Sequence, residues 1–221
     1  MSPTGLPFIH CYEPGGHPTA TPLLLLHGTG GDERDLLPLG RALSPGAPLL
    51  SPRGEVTEAD GARRFFRRHA EGVLDEPDLR ERTGQMADFV HAARRYYGLP
   101  APFAVGFSNG ANLAASMLML RPDALAGAVL LRAMPPFAER PGHLDPGQRP
   151  VLLLSGARDP LIPLEAARRL AADLQSGHAR LTYRVLSAGH GLTREDVAIA
   201  ATWLADWNNQ QPDPAETTPC N

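Results

Sequence analysis

The chain has 221 residues, a formal net charge of −3 at pH 7 and 43% hydrophobic residues. This length suits one compact domain, and the slight negative charge argues against nucleic acid as a partner because proteins that bind nucleic acid concentrate positive charge. All 21 basic residues are arginine, so enzymes that need a lysine for a Schiff base or a phosphate-binding loop are excluded.

The two cysteines, Cys11 and Cys220, lie near opposite ends of the sequence and form no metal-binding spacing. No segment is apolar enough to span a membrane, and the N-terminus lacks the pattern of a signal peptide. We therefore expect a cytoplasmic protein with no metal site, no cofactor and no membrane partner.

The first half of the chain contains short apolar runs that predict strands. Phe8–Tyr12 is a candidate antiparallel edge strand, Leu23–Leu26 is continuously apolar as in a buried parallel strand, and Pro48–Ser51 comes next. Pro52–Leu74 has no apolar periodicity and is predicted to be irregular. Glu76–Tyr97 is predicted to be a helix, the longest of the chain, because its apolar residues share one face and a glycine follows it.

Strands and helices alternate in the second half of the chain, the pattern of a parallel sheet with helices on both faces. The cap of the last helix is predicted at Thr193, with Asp196 three residues on. Met134–Gln148 is predicted to be irregular, residues 1–207 to form one domain, and 208–221 to be a disordered tail. The predicted elements are the strands Phe103–Phe107, Ala128–Leu131, Val151–Ser155 and Leu181–Leu186, and the helices Asn109–Leu120, Leu164–Ser176 and Arg194–Trp207.

A GxSxG motif, Gly106-Phe107-Ser108-Asn109-Gly110, lies between a predicted strand and a predicted helix. Small residues two positions before and after the serine permit the tight turn that exposes a nucleophilic hydroxyl. We therefore assign Ser108 as the candidate nucleophile. The alternative is an ordinary strand-to-helix turn in which Ser108 caps the helix.

A serine nucleophile needs a base, normally a histidine that a carboxylate orients. Asp159 follows the strand Val151–Ser155, and His190 follows the strand Leu181–Leu186. The order Ser, Asp, His along the chain is that of the α/β-hydrolases. Taken singly, Asp159 is equally well explained as a turn residue and His190 as a surface histidine, but their shared position after strands favours a triad with Ser108.

The glycine-rich run His27-Gly28-Thr29-Gly30-Gly31-Asp32 follows a predicted strand and suits an oxyanion hole built from backbone N–H groups. We assign the N–H groups of Thr29 and Asn109 as the donors. Dinucleotide binding is a competing interpretation, but Glu33 stands where the last glycine of GxGxxG belongs and would bring negative charge to the phosphates. A plain turn in which Asp32 caps the next helix is a further alternative.

Residues close to these motifs are candidate substrate contacts. The segment Arg63–Arg68 contains four arginines around two phenylalanines, and an arginine there suits an acidic ester. We favour the plainer interpretation of a solvated arginine face around a buried aromatic pair. The candidate contacts are Gly28, Gly30, Arg64, Phe65 and Ile162.

Four motifs together carry a family resemblance: the runs His27 to Leu36, Gly106 to Asn112 and Ser155 to Pro160, and the pair Gly189-His190. They resemble the small serine carboxylesterases of the phospholipase/carboxylesterase group, over about Leu23 to Trp207. The resemblance implies an α/β-hydrolase fold with a mostly parallel, doubly wound sheet and no large lid, hydrolysis of carboxylic esters or thioesters, and a homodimer.

One departure narrows this resemblance. The acyl-protein thioesterases of the group usually have glutamine and then a glycine pair after the nucleophile, whereas this chain has Asn109 and then Gly110-Ala111. The chain is therefore more similar to the bacterial branch that includes proteins linked to quinone or hydroquinone resistance.

These observations predict a serine esterase that hydrolyses small or short-chain carboxylic esters through an acyl-enzyme intermediate. Its partner is a small-molecule ester, and at this length we expect an open cleft. A thioesterase or lysophospholipase on the same scaffold is the first alternative. A non-catalytic ligand-binding homologue is the second, and the complete set of Ser108, Asp159 and His190 argues against it.

Overall fold

The computed structural model describes residues 5–17, 20–140 and 148–210. A seven-stranded sheet runs through this part of the chain in the order β1-β3-β2-β8-β9-β10-β11, and every neighbouring pair is parallel except β1 with β3. The strands are β1 His10–Glu13, β2 Leu23–Leu26, β3 Leu49–Pro52, β4 Val56–Thr57, β5 Arg63–Arg64, β6 Arg68–Ala70, β7 Val73–Leu74, β8 Phe103–Phe107, β9 Gly127–Leu131, β10 Pro150–Gly156 and β11 Arg180–Leu186.

The helices have sequence signals at their ends that the structure uses. Asp75 accepts a hydrogen bond from the Asp78 N–H before the longest helix, and Gly98 ends that helix with a φ of 68°. The predicted cap of the last helix is confirmed, because Thr193 and Asp196 form a capping box. The helices are α1 Leu37–Leu43, α2 Glu76–Tyr97, α3 Asn109–Leu120, α4 Leu164–Ser176 and α5 Arg194–Asn209, with a 3-10 turn at Pro122–Ala124.

Strand β2 shows how the sheet divides the core. Successive strand residues point to opposite faces. Leu24 and Leu26 belong to the apolar cluster that includes α2, α3 and α4, whereas Leu23 and Leu25 belong to the cluster that includes α1 and α5. Helices therefore cover both faces of a mostly parallel sheet, which confirms the predicted fold class.

The main correction concerns Pro52–Leu74, which the sequence predicts to be irregular. It contains two antiparallel hairpins, β4 with β5 and β6 with β7. Their strands are only two or three residues long and mostly polar, so they show no alternation of apolar residues.

Helix α5 continues two residues past the predicted end at Trp207. The Asn208 side chain there accepts a hydrogen bond from the Thr21 hydroxyl at 2.9 Å, so the last turn is tied to the chain before β2. The rest of the predicted tail, from residue 211, lies outside the described residues, as do residues 141–147 of the predicted irregular segment Met134–Gln148.

Candidate active site

Ser108 lies at the turn from β8 into α3. Its φ of 51° and ψ of −112° are unusual for a residue other than glycine. Its N–H donates to the Leu131 carbonyl oxygen at 2.9 Å, which holds the turn against β9. A Cβ on Gly106 would lie 2.6 Å from the Cα of Ala111, so this tight turn requires a glycine there.

Gly110→Ala tests the packing of the turn. A Cβ at Gly110 would lie 2.1 Å from the Leu26 carbonyl oxygen and 2.6 Å from that of His27, so β2 and α3 would have to move apart. We expect the free energy of unfolding, measured by urea denaturation, to fall by about 3 kcal/mol. Gly84→Ala in α2 is the matched control, because a Cβ there meets nothing within 4 Å. If both variants are as stable as the wild type, the turn does not require a glycine at position 110 for its packing against β2.

The side chains of Ser108, His190 and Asp159 form one hydrogen-bonded chain. His190 Nε2 lies 3.0 Å from Ser108 Oγ, and His190 Nδ1 lies 2.9 Å from Oδ2 and 3.1 Å from Oδ1 of Asp159. The Asp159 side chain is 1% exposed and the His190 side chain 19%. In this geometry an imidazole can accept the proton of the hydroxyl while the carboxylate orients it.

The Asp159 carboxylate is also held by the turn that follows β10. Its Oδ1 accepts hydrogen bonds from the N–H groups of Leu161 at 2.9 Å and Ile162 at 3.0 Å. Asp159 is therefore a turn residue as well as the partner of His190. The two interpretations of this residue from sequence are compatible.

His27 supports the glycine-rich loop after β2. It is 1% exposed, its Nε2 lies 3.0 Å from the Gly54 nitrogen and its Nδ1 lies 2.7 Å from the Gly28 carbonyl oxygen. Nε2 must accept from the Gly54 N–H, so Nδ1 carries the proton and donates to Gly28. Burial lowers the pKa of His27, which favours this neutral form.

Thr29 and Asn109 are both held through their side chains. Arg64 Nη1 donates to Thr29 Oγ1 at 2.8 Å, and Asn109 Oδ1 accepts from the Phe65 N–H at 2.8 Å. Within residues 5–17, 20–140 and 148–210, neither the Thr29 N–H nor the Asn109 N–H donates to another group of the protein. Both amides can therefore donate to a group bound beside Ser108.

A cleft of about 260 Å³ opens beside the Ser108 hydroxyl. The hairpin of β6 and β7 contributes Arg68, Glu71 and Leu74 to its lining. Asn112 and Met134, which the sequence did not predict as site residues, also line it, and the Met134 N–H donates to Asn112 Oδ1 at 2.9 Å. The predicted site residues that line the cleft are Thr29, Arg64, Ser108, Asn109, Ile162 and His190.

Three predicted substrate contacts, Gly28, Gly30 and Phe65, are not among the residues that line the cleft. Phe65 is 2% exposed, and its ring packs on His27 with the ring centroids 4.5 Å apart. Gly28 packs against Phe107, since a Cβ would lie 2.7 Å from that ring. Gly30 forms a turn with a φ of 88°. Phe65 and Gly28 therefore pack behind His27 and Phe107, and substrate contact by these three residues stays a prediction.

The segment Arg63–Arg68 differs from the solvated arginine face that the sequence favours. Its aromatic pair is buried as predicted, but Arg64 is only 4% exposed, and its Nε donates to the Phe66 carbonyl oxygen at 3.1 Å. Burial, and then the charge of Arg68, lower the pKa of Arg64. Arg68 pairs with Glu58 through two hydrogen bonds of 2.8 Å. The two hairpins fold this segment against the cleft.

Among the described residues, no group of three or more His, Cys, Asp or Glu side chains is placed to hold a metal ion. No helix in the same part of the chain has the length and apolar character that crossing a membrane requires. The half-buried Cys11 is a free thiol, and burial raises its pKa.

Comparisons with known proteins agree with this architecture. The family model described as TAP-like protein, Abhydrolase_4, matches residues 131–212, a range that contains Asp159 and His190. The relative named "Putative hydrolase MhqD" from Bacillus subtilis (strain 168) is 42% identical over 201 residues, which are 89% of this chain and 98% of that protein.

Two solved structures of carboxylesterases are also similar. The Bacillus cereus carboxylesterase is 37% identical with a TM-score of 0.88, and the match covers 92% of this chain and 96% of that one. The carboxylesterase from Mesorhizobium loti is 32% identical with a TM-score of 0.85, over 91% of this chain and 96% of that one.

Proposed function

Because this chain belongs to the α/β-hydrolase family, as do the bacterial carboxylesterases that it matches, we propose that it is a serine esterase for small or short-chain carboxylic esters. The observation that carries the proposal is the hydrogen-bonded chain from Ser108 Oγ through His190 to Asp159. A ligand-binding protein has no need of this arrangement.

Acylation starts when Ser108 Oγ attacks the ester carbonyl carbon and His190 Nε2 takes the hydroxyl proton. Asp159 accepts from the Nδ1–H, so it keeps Nε2 directed at Ser108 and stabilises the imidazolium. The carbonyl oxygen becomes an oxyanion, to which the N–H groups of Thr29 and Asn109 donate. His190 then gives the proton to the departing alkoxide, which leaves an acyl group on Ser108.

Deacylation repeats these roles with water as the nucleophile. His190 takes a proton from water, the resulting hydroxide attacks the acyl carbon, and the two amides again stabilise the oxyanion. The carboxylic acid leaves as Ser108 recovers its proton from His190. These steps use water and groups of this chain, and the partner is a small-molecule ester rather than nucleic acid or a membrane.

Active-site labelling tests the nucleophile directly. A fluorophosphonate probe should add to the wild-type protein once per chain and stop its hydrolysis of p-nitrophenyl acetate. Trypsin would release residues 96–132 as one peptide, because Arg121 precedes a proline, and this peptide contains both Ser108 and Ser116. Fragmentation of the peptide must place the label on Ser108. A label on another residue, or no label, would contradict the proposal.

The size of the cleft predicts the preferred substrates. A volume of about 260 Å³ is below the usual range for drug-sized ligands, so long acyl chains should lose contacts or lie in solvent. We expect kcat/KM for p-nitrophenyl esters to fall at least about tenfold from butyrate to laurate. A steady rise along this series would contradict the short-chain assignment.

A thioesterase remains the second candidate because it would use the same side chains. It is separated from the esterase by comparing oxygen and sulfur esters of one acyl group. Since the acyl-enzyme is identical for both, only acylation by the better substrate should be faster.

A further inference from the structure

Arg132 is a buried arginine that takes no direct part in acylation or deacylation. It follows β9 directly, it is 0% exposed, and its φ is 57°. A buried charge is costly unless it is well paired, and a left-handed backbone is unfavourable for a residue with a side chain. Two unfavourable features at one position indicate that the side chain has a specific structural or functional role.

Each of the five N–H groups of the Arg132 guanidinium has an acceptor. Nη1 and Nη2 lie 2.8 Å from the two carboxylate oxygens of Asp196. Nε lies 2.9 Å from the carbonyl oxygen of Gly189, Nη2 lies 3.3 Å from that of Gly191, and Nη1 lies 3.4 Å from that of Leu154. The planar group is therefore fixed in position and orientation.

Asp196 connects this guanidinium to the start of α5. Its Oδ2 accepts from the N–H and the hydroxyl of Thr193, both at 2.8 Å. Burial has the largest effect on the pKa of Asp196 and raises it, but the hydrogen bonds from Arg132 and Thr193 together outweigh burial and lower the pKa overall. The carboxylate is therefore ionised and forms a bidentate pair with Arg132.

The two glycine carbonyls belong to the residues immediately before and after His190. The guanidinium thus binds the backbone on both sides of the histidine whose side chain contacts Asp159 and Ser108. The support is itself anchored in the sheet, because the Arg132 N–H donates to the Leu154 carbonyl oxygen of β10 at 2.9 Å.

We propose that Arg132 is a positioning residue for catalysis: by binding the carbonyls of Gly189 and Gly191 while paired with Asp196, it holds the His190 imidazole between Asp159 and Ser108. The proposal rests on the proposed function, because it takes His190 as the base. A displacement of about 1 Å in a catalytic group can lower a rate about 100-fold, so the loop that carries His190 needs such a support.

Arg132→Lys separates positioning from a purely structural ion pair. Lysine keeps a positive charge beside Asp196, but its single ammonium lacks the planar fork that reaches the carboxylate and both carbonyls together. We expect the melting temperature of this variant to stay close to that of the wild type. Its kcat for p-nitrophenyl acetate should fall about 100-fold, and its KM should change less than about threefold. If the ion pair with Asp196 were purely structural, Arg132→Lys would keep the kcat of the wild type as well as its stability.

The double variant Arg132→Met, Asp196→Asn removes the charge pair without leaving an unpaired buried carboxylate. Its kcat should fall as far as that of Arg132→Lys. Leu174→Ala, a buried position in α4, is the control for destabilisation, and it should lower the melting temperature while leaving kcat within about twofold. If Leu174→Ala loses as much kcat as the double variant, the effect is general destabilisation and the proposal is wrong.

Proton NMR supplies a readout other than activity. The downfield resonance of the His190 Nδ1–H, identified by its loss in Asp159→Asn, should weaken or shift in Arg132→Lys.

If the Arg132 variants do not fold, Asp196→Asn tests the proposal instead, because asparagine retains an acceptor oxygen for the helix cap. Its kcat should fall about tenfold. An unchanged kcat in the folded variants, or in Asp196→Asn alone, would overturn the proposal.

Failure of this proposal differs from failure of the proposed function. If the wild type shows no hydrolysis that depends on Ser108, the esterase assignment is wrong, and the inference about Arg132 falls with it. If hydrolysis depends on Ser108 but is as fast in the Arg132 variants as in the wild type, the inference alone is wrong.

Discussion

Ser108→Ala should lower kcat for p-nitrophenyl acetate by about 10⁶-fold, the scale of loss when the serine of a triad is removed. The reason is that alanine has no oxygen to form the acyl-enzyme, so only uncatalysed attack by water near the two amides remains. Steady-state hydrolysis and labelling by a fluorophosphonate should both disappear. The melting temperature should change little, because the substitution removes only a hydroxyl group.

Ser155→Ala is the matched control for this experiment. Ser155 is a buried serine outside the hydrogen-bonded chain of Ser108, and its hydroxyl is without a hydrogen-bond partner among the described residues. Its removal should leave kcat and labelling unchanged. Hydrolysis at the wild-type rate by Ser108→Ala would show that another group is the nucleophile.

Asp159→Asn should lower kcat by about 10⁴-fold. An amide at this position can offer its NH₂ group to Nδ1, which favours the tautomer with the proton on Nε2 and leaves no base facing Ser108. The turn should persist, because the asparagine oxygen can still accept from the N–H groups of Leu161 and Ile162. KM should therefore change much less than kcat.

Asp123→Asn is a suitable control, because Asp123 also bonds a histidine. Its Oδ2 lies 2.8 Å from His91 Nε2, in an exposed pair outside the cleft. That variant should keep kcat within about twofold, since surface pairs contribute little. If Asp123→Asn and Asp159→Asn had equal effects, the role of Asp159 as the orienting carboxylate would be wrong.

Much of the fold could be predicted because its signals are local. The continuous apolar run Leu23–Leu26 indicates a strand buried on both faces, and the one-sided periodicity of Glu76–Tyr97 indicates a helix. Thr193 and Asp196 predict a capping box from a spacing of three residues. The hairpins within Pro52–Leu74 were not predictable in this way, because strands of only two or three residues are too short to show a period.

In the candidate site, too, some features are local in the sequence and others depend on tertiary contacts. The chemical types at Ser108, Asp159 and His190, and their positions after strands, are local features, and the parallel sheet brings such positions together at one edge. That Phe65 packs on His27 instead of lining the cleft depends on how the hairpins fold back, which no local spacing records.

Side-chain periodicity and local sterics are thus enough to predict the strands of the main sheet, the helices, the tight turn at Ser108 and the residue types available for a triad. In contrast, the burial of Arg64 against Thr29 and the binding of Arg132 to the backbone on both sides of His190 are seen only in the folded protein. Those contacts join residues 35, 57 and 59 positions apart. Nothing in their local sequence specifies the partner, because the packing of the whole sheet and its loops determines which groups meet.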